Sequence, residues 1–198
     1  MLQAANTSKT LPQNRVPEVT VDFWLIKLMA VTMGETAADY LAVNLGLGLT
    51  ATSIIMSGIL VVALVLQFSQ KKYVPWAYWL TVVLISIVGT LITDNLVDNF
   101  AVTLATTTIA FSAALLATFI VWYASERTLS IHAVFTTRRE AFYWLAILFT
   151  FALGTAAGDL VAEHFDLGYL TTGVIFAAVI AAIAFAHFAL KVDAVLSF

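Results

Sequence analysis

The stretch "YWLAILFTFALGTAAGD", Tyr143 to Asp159, is apolar along most of its length and ends on a carboxylate. The same frame occurs twice upstream. "YWLTVVLISIVGTLITD" (Tyr78 to Asp94) and "FWLIKLMAVTMGETAAD" (Phe23 to Asp39) align with it without a gap as aromatic, Trp, nine residues, Gly, four residues, Asp. The Trps are Trp24, Trp79 and Trp144, and the Gly residues are Gly34, Gly89 and Gly154. Five residues past each Asp stands Asn44, Asn99 or His164, and thirteen past stands Thr52, Thr107 or Thr172. Chance does not produce so many fixed offsets, so the chain reads as one unit written three times.

Composition sets the class. Of 198 residues, 62% are hydrophobic and 11% charged, whereas a soluble domain carries about a quarter charged residues. With a mean hydropathy of +0.97, the chain reads as an integral membrane protein. Crossing a ~30 Å hydrocarbon layer takes about 20 helical residues. Six windows reach that length: 23–45, 49–69, 76–98, 101–124, 141–164 and 168–191. Barrel strands would be shorter, near ~10 residues, and alternating. The expected fold is all-α transmembrane, with six membrane-spanning helices arranged as three parallel two-helix repeats at about 23–72, 76–125 and 141–191. Each unit holds two spans, so every unit enters the membrane in the same direction. Residues 1–20 are polar, include Pro12 and Pro17, and lack the apolar core of a signal peptide, so they read as a flexible cytoplasmic tail. Residues 21–198 form one transmembrane domain with a cytoplasmic loop at about 125–140. A chain without cysteine has no disulfide, thiolate metal site or cysteine nucleophile. A formal charge of -3 without basic clusters argues against nucleic acid as a partner.

Basic residues give the orientation. Lys9 and Arg15 precede the first window, Lys71 and Lys72 follow the second, Arg127, Arg138 and Arg139 follow the fourth, and Lys191 ends the sixth. The turns after the odd windows contain no Lys or Arg. The N-terminus and the even-numbered loops are therefore expected in the cytoplasm. Lys27 is near enough to that surface to snorkel. Trp24, Trp79 and Trp144 lie at the same boundary and read as interfacial anchors. The short outer turns predict a tight helical hairpin within each unit.

The Trps are 55 and then 65 residues apart. A recurrence of the first spacing would put a fourth Trp at position 199, one past Phe198, so a fourth unit is expected to be missing from this chain. "TLSIHAVFTTRREAFYWLAILFTFALGTAAGDL" and "FWLIKLMAVTMGETAADYL" resemble bacterial membrane proteins built from four tandem two-helix repeats of unknown function, each with a characteristic Trp. The resemblance covers nearly the whole chain. It implies architecture and a place in the bacterial inner membrane far more than an activity.

Residues four apart share a helix face. One stripe is acidic or hydroxylic in every unit: Glu35 and Asp39; Ser86, Thr90, Asp94 and Asp98; Thr155, Asp159 and Glu163. Beside it runs a stripe of small residues built on Gly34, Gly89, Gly154 and Gly158, which lets helix backbones approach in lipid. Packing the odd helices through the small stripe would turn the acidic one toward a shared interior. An Asp at mid-span costs about 2.5–3.5 kcal/mol on the insertion scale, so three facing lipid would cost roughly 8–10 kcal/mol. At about 1.5 Å of rise per residue, the Asp level lies roughly 22 Å from the Trp level, in the outer half of the membrane. Glu35 stands where the other units have Thr90 and Thr155, and is the asymmetric member.

Oxygen donors without thiolate suit hard cations and protons. The leading expectation is a cation transporter or channel, for a divalent metal such as Mn2+ or coupled to protons. Its pathway would be Glu35, Asp39, Asp94, Asp98, Asp159 and Glu163, supported by Thr90, Thr155, Thr52, Thr107 and Thr172. Mn2+ is favoured by the likeness of "GETAAD" and "AAGD" to acidic helix motifs of manganese exporters, which is analogy only. No catalytic residue and no cofactor is assigned, a divalent cation being the species such a site would bind; the lipid bilayer is the expected partner. The three Thr at the even-span starts suit a pathway or a bond to their own backbone equally well. His164 and Asp166 beside Glu163 form either a metal-attracting mouth or, more simply, a polar turn. An intramembrane aspartyl protease is disfavoured, because Ala156 replaces the first Gly of Gly-x-Gly-Asp and three equivalent Asp stand where two are needed. The alternative is a structural or partner-binding membrane protein whose Asp residues, bonded to neighbouring helices, only hold the bundle together.

Overall fold

The structure, a computed structural model, describes residues 14–191, which are helical wherever they are regular. The odd helices are α1 (Val21–Asp39), α3 (Pro75–Asp94) and α5 (Thr137–Asp159); the even ones are α2 (Leu49–Ser69), α4 (Leu104–Glu126) and α6 (Gly168–Leu190). Their starts follow from local chemistry. The hydroxyls of Thr20, Thr103 and Thr136 accept from the backbone N–H of Phe23, Thr106 and Arg139, satisfying donors that a first turn leaves open. Pro75 opens α3, where no N–H is needed.

Helices α2 to α6 are all long and apolar enough to cross a membrane, which makes this a multi-pass membrane protein by length and composition. Helix α1, which carries Asp22, Lys27, Glu35 and Asp39, falls outside that set. Exposed Ile54, Val62 and Val65 on α2 and Ile109, Leu116 and Ile120 on α4 form outward faces that suit lipid.

Each odd helix widens as it leaves its repeated Asp. A five-residue π-helical turn follows in every unit: Tyr40–Asn44, Asn95–Asn99 and Leu160–His164. Behind it the N–H of Leu45, Phe100 and Phe165 donates to the carbonyl of Tyr40, Asn95 and Leu160. A residue in the left-handed region then reverses the chain, at Gly46 (φ 69°), Ala101 (φ 54°) and Asp166 (φ 55°). The repeat is therefore conformational as well as chemical.

The widened turn changes the partner of the even helix. Instead of folding back on α1, α2 packs on α3, and α4 packs on α5 rather than α3. The tight hairpin expected within a unit is replaced by a contact with the next unit. The extra residue of the π-turn and the left-handed step after it carry the chain sideways. Three bonds fix this crossing: Asn95 Nδ2 donates to Ser53 Oγ at 2.7 Å, Asn99 Nδ2 to Thr50 Oγ1 at 3.3 Å, and Thr50 Oγ1 to Asn95 Oδ1 at 3.4 Å. Helix α6 touches α5 and the third π-turn, and among its residues only Thr172 is buried.

The odd helices pack in a row, with α3 between α1 and α5. A Cβ on Gly34 would lie 1.7 Å from Ser86 Oγ and 2.6 Å from Ser86 Cβ; one on Gly89 would lie 2.8 Å from Phe151 Cβ. Ser86 and Phe151 are equivalent positions, each three before a repeat Gly, so the two seams share one register. Ser86 Oγ donates to Ala30 carbonyl at 3.3 Å, and Thr93 Oγ1 to Ala152 carbonyl at 2.9 Å. Gly154 and Gly158 have open space where a Cβ would point.

Of the expected tail, residues 1–13 lie outside those described, and residues 14–20 lie against the basic end of the bundle. Asn14 Nδ2 donates to Ile131 carbonyl, Asn14 Oδ1 accepts from Val134 N–H, and Arg15 N–H donates to Val134 carbonyl. Val16 is buried in the core.

Candidate functional site

The repeated acids gather at the ends of the odd helices, opposite the basic loops. Asp94 lies within electrostatic range of Asp159, Asp39, Asp98 and Glu35, and Asp159 within range of Glu163, Glu35, Asp39 and Asp98. Asp94 and Asp159 are half-buried, whereas Glu35, Asp39, Asp98 and Glu163 are exposed. Among the described residues the ion pairs are Arg15–Glu140, Arg138–Glu126 and Arg139–Glu126, all at the basic end. No side-chain hydrogen bond or ion pair engages Glu35, Asp39, Asp94, Asp98 or Asp159 among those residues. Glu163 alone of the six has a partner, accepting from the Tyr169 hydroxyl at 2.5 Å.

One turn toward the basic end, Thr90 and Thr155 face each other with hydroxyl oxygens 3.2 Å apart and buried. Their repeat equivalent, Glu35, lines an open cavity of about 210 Å³ with Thr155, Asp159, Tyr169 and Thr172. Gly154, Gly158 and Phe176 form its apolar walls. Thr52, Thr107 and Thr172 are buried, and each hydroxyl donates to the carbonyl four residues back, at Gly48, Thr103 and Gly168. His164 and Asp166 are exposed in the third turn. Among the described residues no three His, Asp or Glu side chains come together as a metal-holding group.

The basic end holds a polar cluster that the sequence reading missed. The Glu140 side chain is fully buried, accepting from Arg15 Nη1 at 2.6 Å and Gln67 Nε2 at 2.8 Å. Trp144 Nε1 donates to it at 3.4 Å. One turn along, the hydroxyls of Tyr78 and Tyr143 meet at 2.5 Å. The Trps expected as interfacial anchors sit in this aromatic layer: Trp144 is 3% exposed, and Trp24 and Trp79 are half-buried. Trp24 and Trp79 each pack against Phe23, and Trp79 and Trp144 against Tyr78. In the loop before α3, burial pushes the Tyr73 phenol above its ordinary range, against the bond it accepts from Trp79. "TRRE" looks like a solvated loop in the sequence. The clue against that was Glu140, four residues before Trp144 and so on the same face.

Comparison with known proteins matches the geometry of the repeat. No curated protein and no solved structure matches the chain. One family does, at residues 23–73, 77–128 and 142–193, each segment beginning within one residue of the repeated aromatic and running through the following even helix. These three tandem segments cover more than half of the chain, which therefore belongs to the family described as Repeat of Unknown Function (DUF347).

Proposed function

We propose that the protein moves cations across a membrane, using Glu35, Asp39, Asp94, Asp98, Asp159 and Glu163 as the pathway and Thr90 and Thr155 as its inner floor. One observation carries this reading: among the described residues five of the six acids, Glu35, Asp39, Asp94, Asp98 and Asp159, make no side-chain hydrogen bond, Glu163 being the exception, while neighbouring hydroxyls make the bonds between helices. Acids retained as packing glue would be expected to make those bonds themselves, because an unpaired polar group in a membrane is costly. The π-turn that follows each Asp supports the same reading, since such turns recur at functional sites. Protons fit the site better than a dehydrated divalent ion. A Mg2+-like ion takes about six oxygens, whereas a proton needs one carboxylate.

In this reading all six helices cross the membrane as three parallel units, α1 included. Its charged residues are carried by the position of Lys27 near the basic end and of the acids at the other. By the positive-inside rule the N-terminus and the basic end are read as cytoplasmic, and the resemblance to bacterial membrane proteins is what supports the inner membrane as the location.

Reconstitution in proteoliposomes with a pH-sensitive dye, with and without Mn2+ in the bath, is the test. Proton or metal flux is expected from the intact protein. It should fall roughly tenfold or more, about 1.4 kcal/mol per factor of ten, in Asp94→Asn and Asp159→Asn with helical content unchanged. Flux equal in the intact protein and both variants would overturn the proposal.

A further inference from the structure

We infer that residues 14–16 form a strap that closes the basic end of the seam between α3 and α5, with Arg15 and Glu140 as its clasp; as a gate, it rests on the transport reading above. The seam runs from Asp94 and Asp159, past the Thr90–Thr155 pair, through Val82 and Ile85 at 1% exposure each, to the Tyr78–Tyr143 pair. Glu140 lies one turn beyond Tyr143, and the strap lies over it.

Three observations make this a clasp rather than general packing. First, the strap has no helix of its own; bonds to separate elements hold it. Asn14 reaches Ile131 and Val134, its carbonyl accepts from Tyr73 N–H, and Arg15 reaches Thr137 and Glu140. Second, the pair is deeply buried, with side-chain exposures of 13% and 1%. A buried ion pair adds little net stability over apolar side chains of similar volume, but losing one partner leaves an uncompensated charge. The pair therefore fixes where the strap sits more than how stable the bundle is. Third, the cluster is incompletely bonded: Arg15 Nε and Gln67 Oε1 are buried with no hydrogen-bond partner among the described residues. Unsatisfied groups of that kind favour a hydrated arrangement once the strap lifts. Lifting it would leave Glu140 facing a water-accessible mouth directly above the tyrosine pair.

The chain has no cysteine, so Thr81→Cys, at a fully buried position one turn past Tyr78, reports entry of water-soluble reagents. In vesicles exposing the basic side, a membrane-impermeant maleimide should label this cysteine roughly tenfold faster or more once Arg15→Ala is added. Exchanging the charges, Arg15→Glu with Glu140→Arg, should return labelling toward the starting rate. Asn14→Ala, which removes the bonds to Ile131 and Val134 and leaves the ion pair, should give an intermediate rate, and it decides the matter if Arg15→Ala does not fold. Equal labelling in every variant overturns the strap. So does loss of folded protein in both Arg15→Ala and Asn14→Ala, which would make the segment a folding element. Labelling that responds in a protein showing no flux would uphold the strap and remove the transport reading.

Discussion

Helices α4 and α6 occupy the same place in successive repeats and meet opposite fates. Helix α4 buries Thr107, Phe111, Thr118 and Trp122 against the next odd helix, as α2 buries Thr52, Met56, Ala63 and Gln67. The equivalent positions of α6 are Thr172, Phe176, Ile183 and His187, and only Thr172 is buried. The face is written in α6, but Phe176 and Ile183 on it are exposed where Phe111 and Thr118 of α4 are buried. The glycines repeat the contrast: Gly34 and Gly89 are pressed against α3 and α5, whereas Gly154 opens onto the cavity beside Glu35. In the first two units the even helix thus packs on the odd helix of the next repeat.

The strongest way to break that comparison is to add bulk at the three glycines. Gly89→Leu forces a side chain into Phe151 and the Ala152 backbone, an overpacking expected to cost about 3 kcal/mol. Gly34→Leu should behave similarly. Gly154→Leu meets open space and should change thermal stability in detergent by less than about 0.5 kcal/mol. Comparable losses at all three positions would mean that the third seam is closed in the folded protein.

Truncating the even-helix face gives a smaller effect of the same kind. Lipid tails replace protein on an exposed membrane helix, so packing decides the cost there. Phe111→Ala empties a buried position against Phe149 and Ala152 and should cost about 2–3 kcal/mol. Phe176→Ala, at 40% exposure, should cost less than about 0.5 kcal/mol. Equal costs would show that α6 is packed as α4 is.

Much of this architecture was legible in the chain. Trp, Gly and Asp at fixed offsets mark the three units, and Gly34 and Gly89 identify the close approaches, because only a missing Cβ permits them. The repeated Asp residues stand out in the sequence through the same fixed offsets as the Trp and Gly. Two features were not legible. A π-turn preserves helical composition and differs by one backbone hydrogen bond, so "DYLAVN", "DNLVDN" and "DLVAEH" read as ordinary helix ends. Since those turns decide which helix an even span meets, the swap of partners was hidden with them. Glu140 was hidden by its company: between two arginines and an alanine it looks solvated. Its burial depends on Arg15, more than a hundred residues away, which no local pattern reports.

The smallest effect tests the turn itself. Gly46 and Ala101 hold the same left-handed position in the first and second units, at φ 69° and 54°. Glycine occupies that region freely, whereas alanine carries the clash of its Cβ with the backbone. A Cβ on Gly46 would touch nothing within 4 Å, so the cost there is conformational and not one of packing. Ala101→Gly should therefore stabilise by about 0.5–1 kcal/mol and Gly46→Ala destabilise by about as much. In a chain of this size that is a change in melting temperature of roughly 2–4 °C per kcal/mol. Aspartate tolerates the region better than alanine, so Asp166→Gly should gain less. A loss of stability in Ala101→Gly would mean that the second turn is held by something other than the backbone geometry it shares with the first, and the equivalence of the units would end at the π-turn.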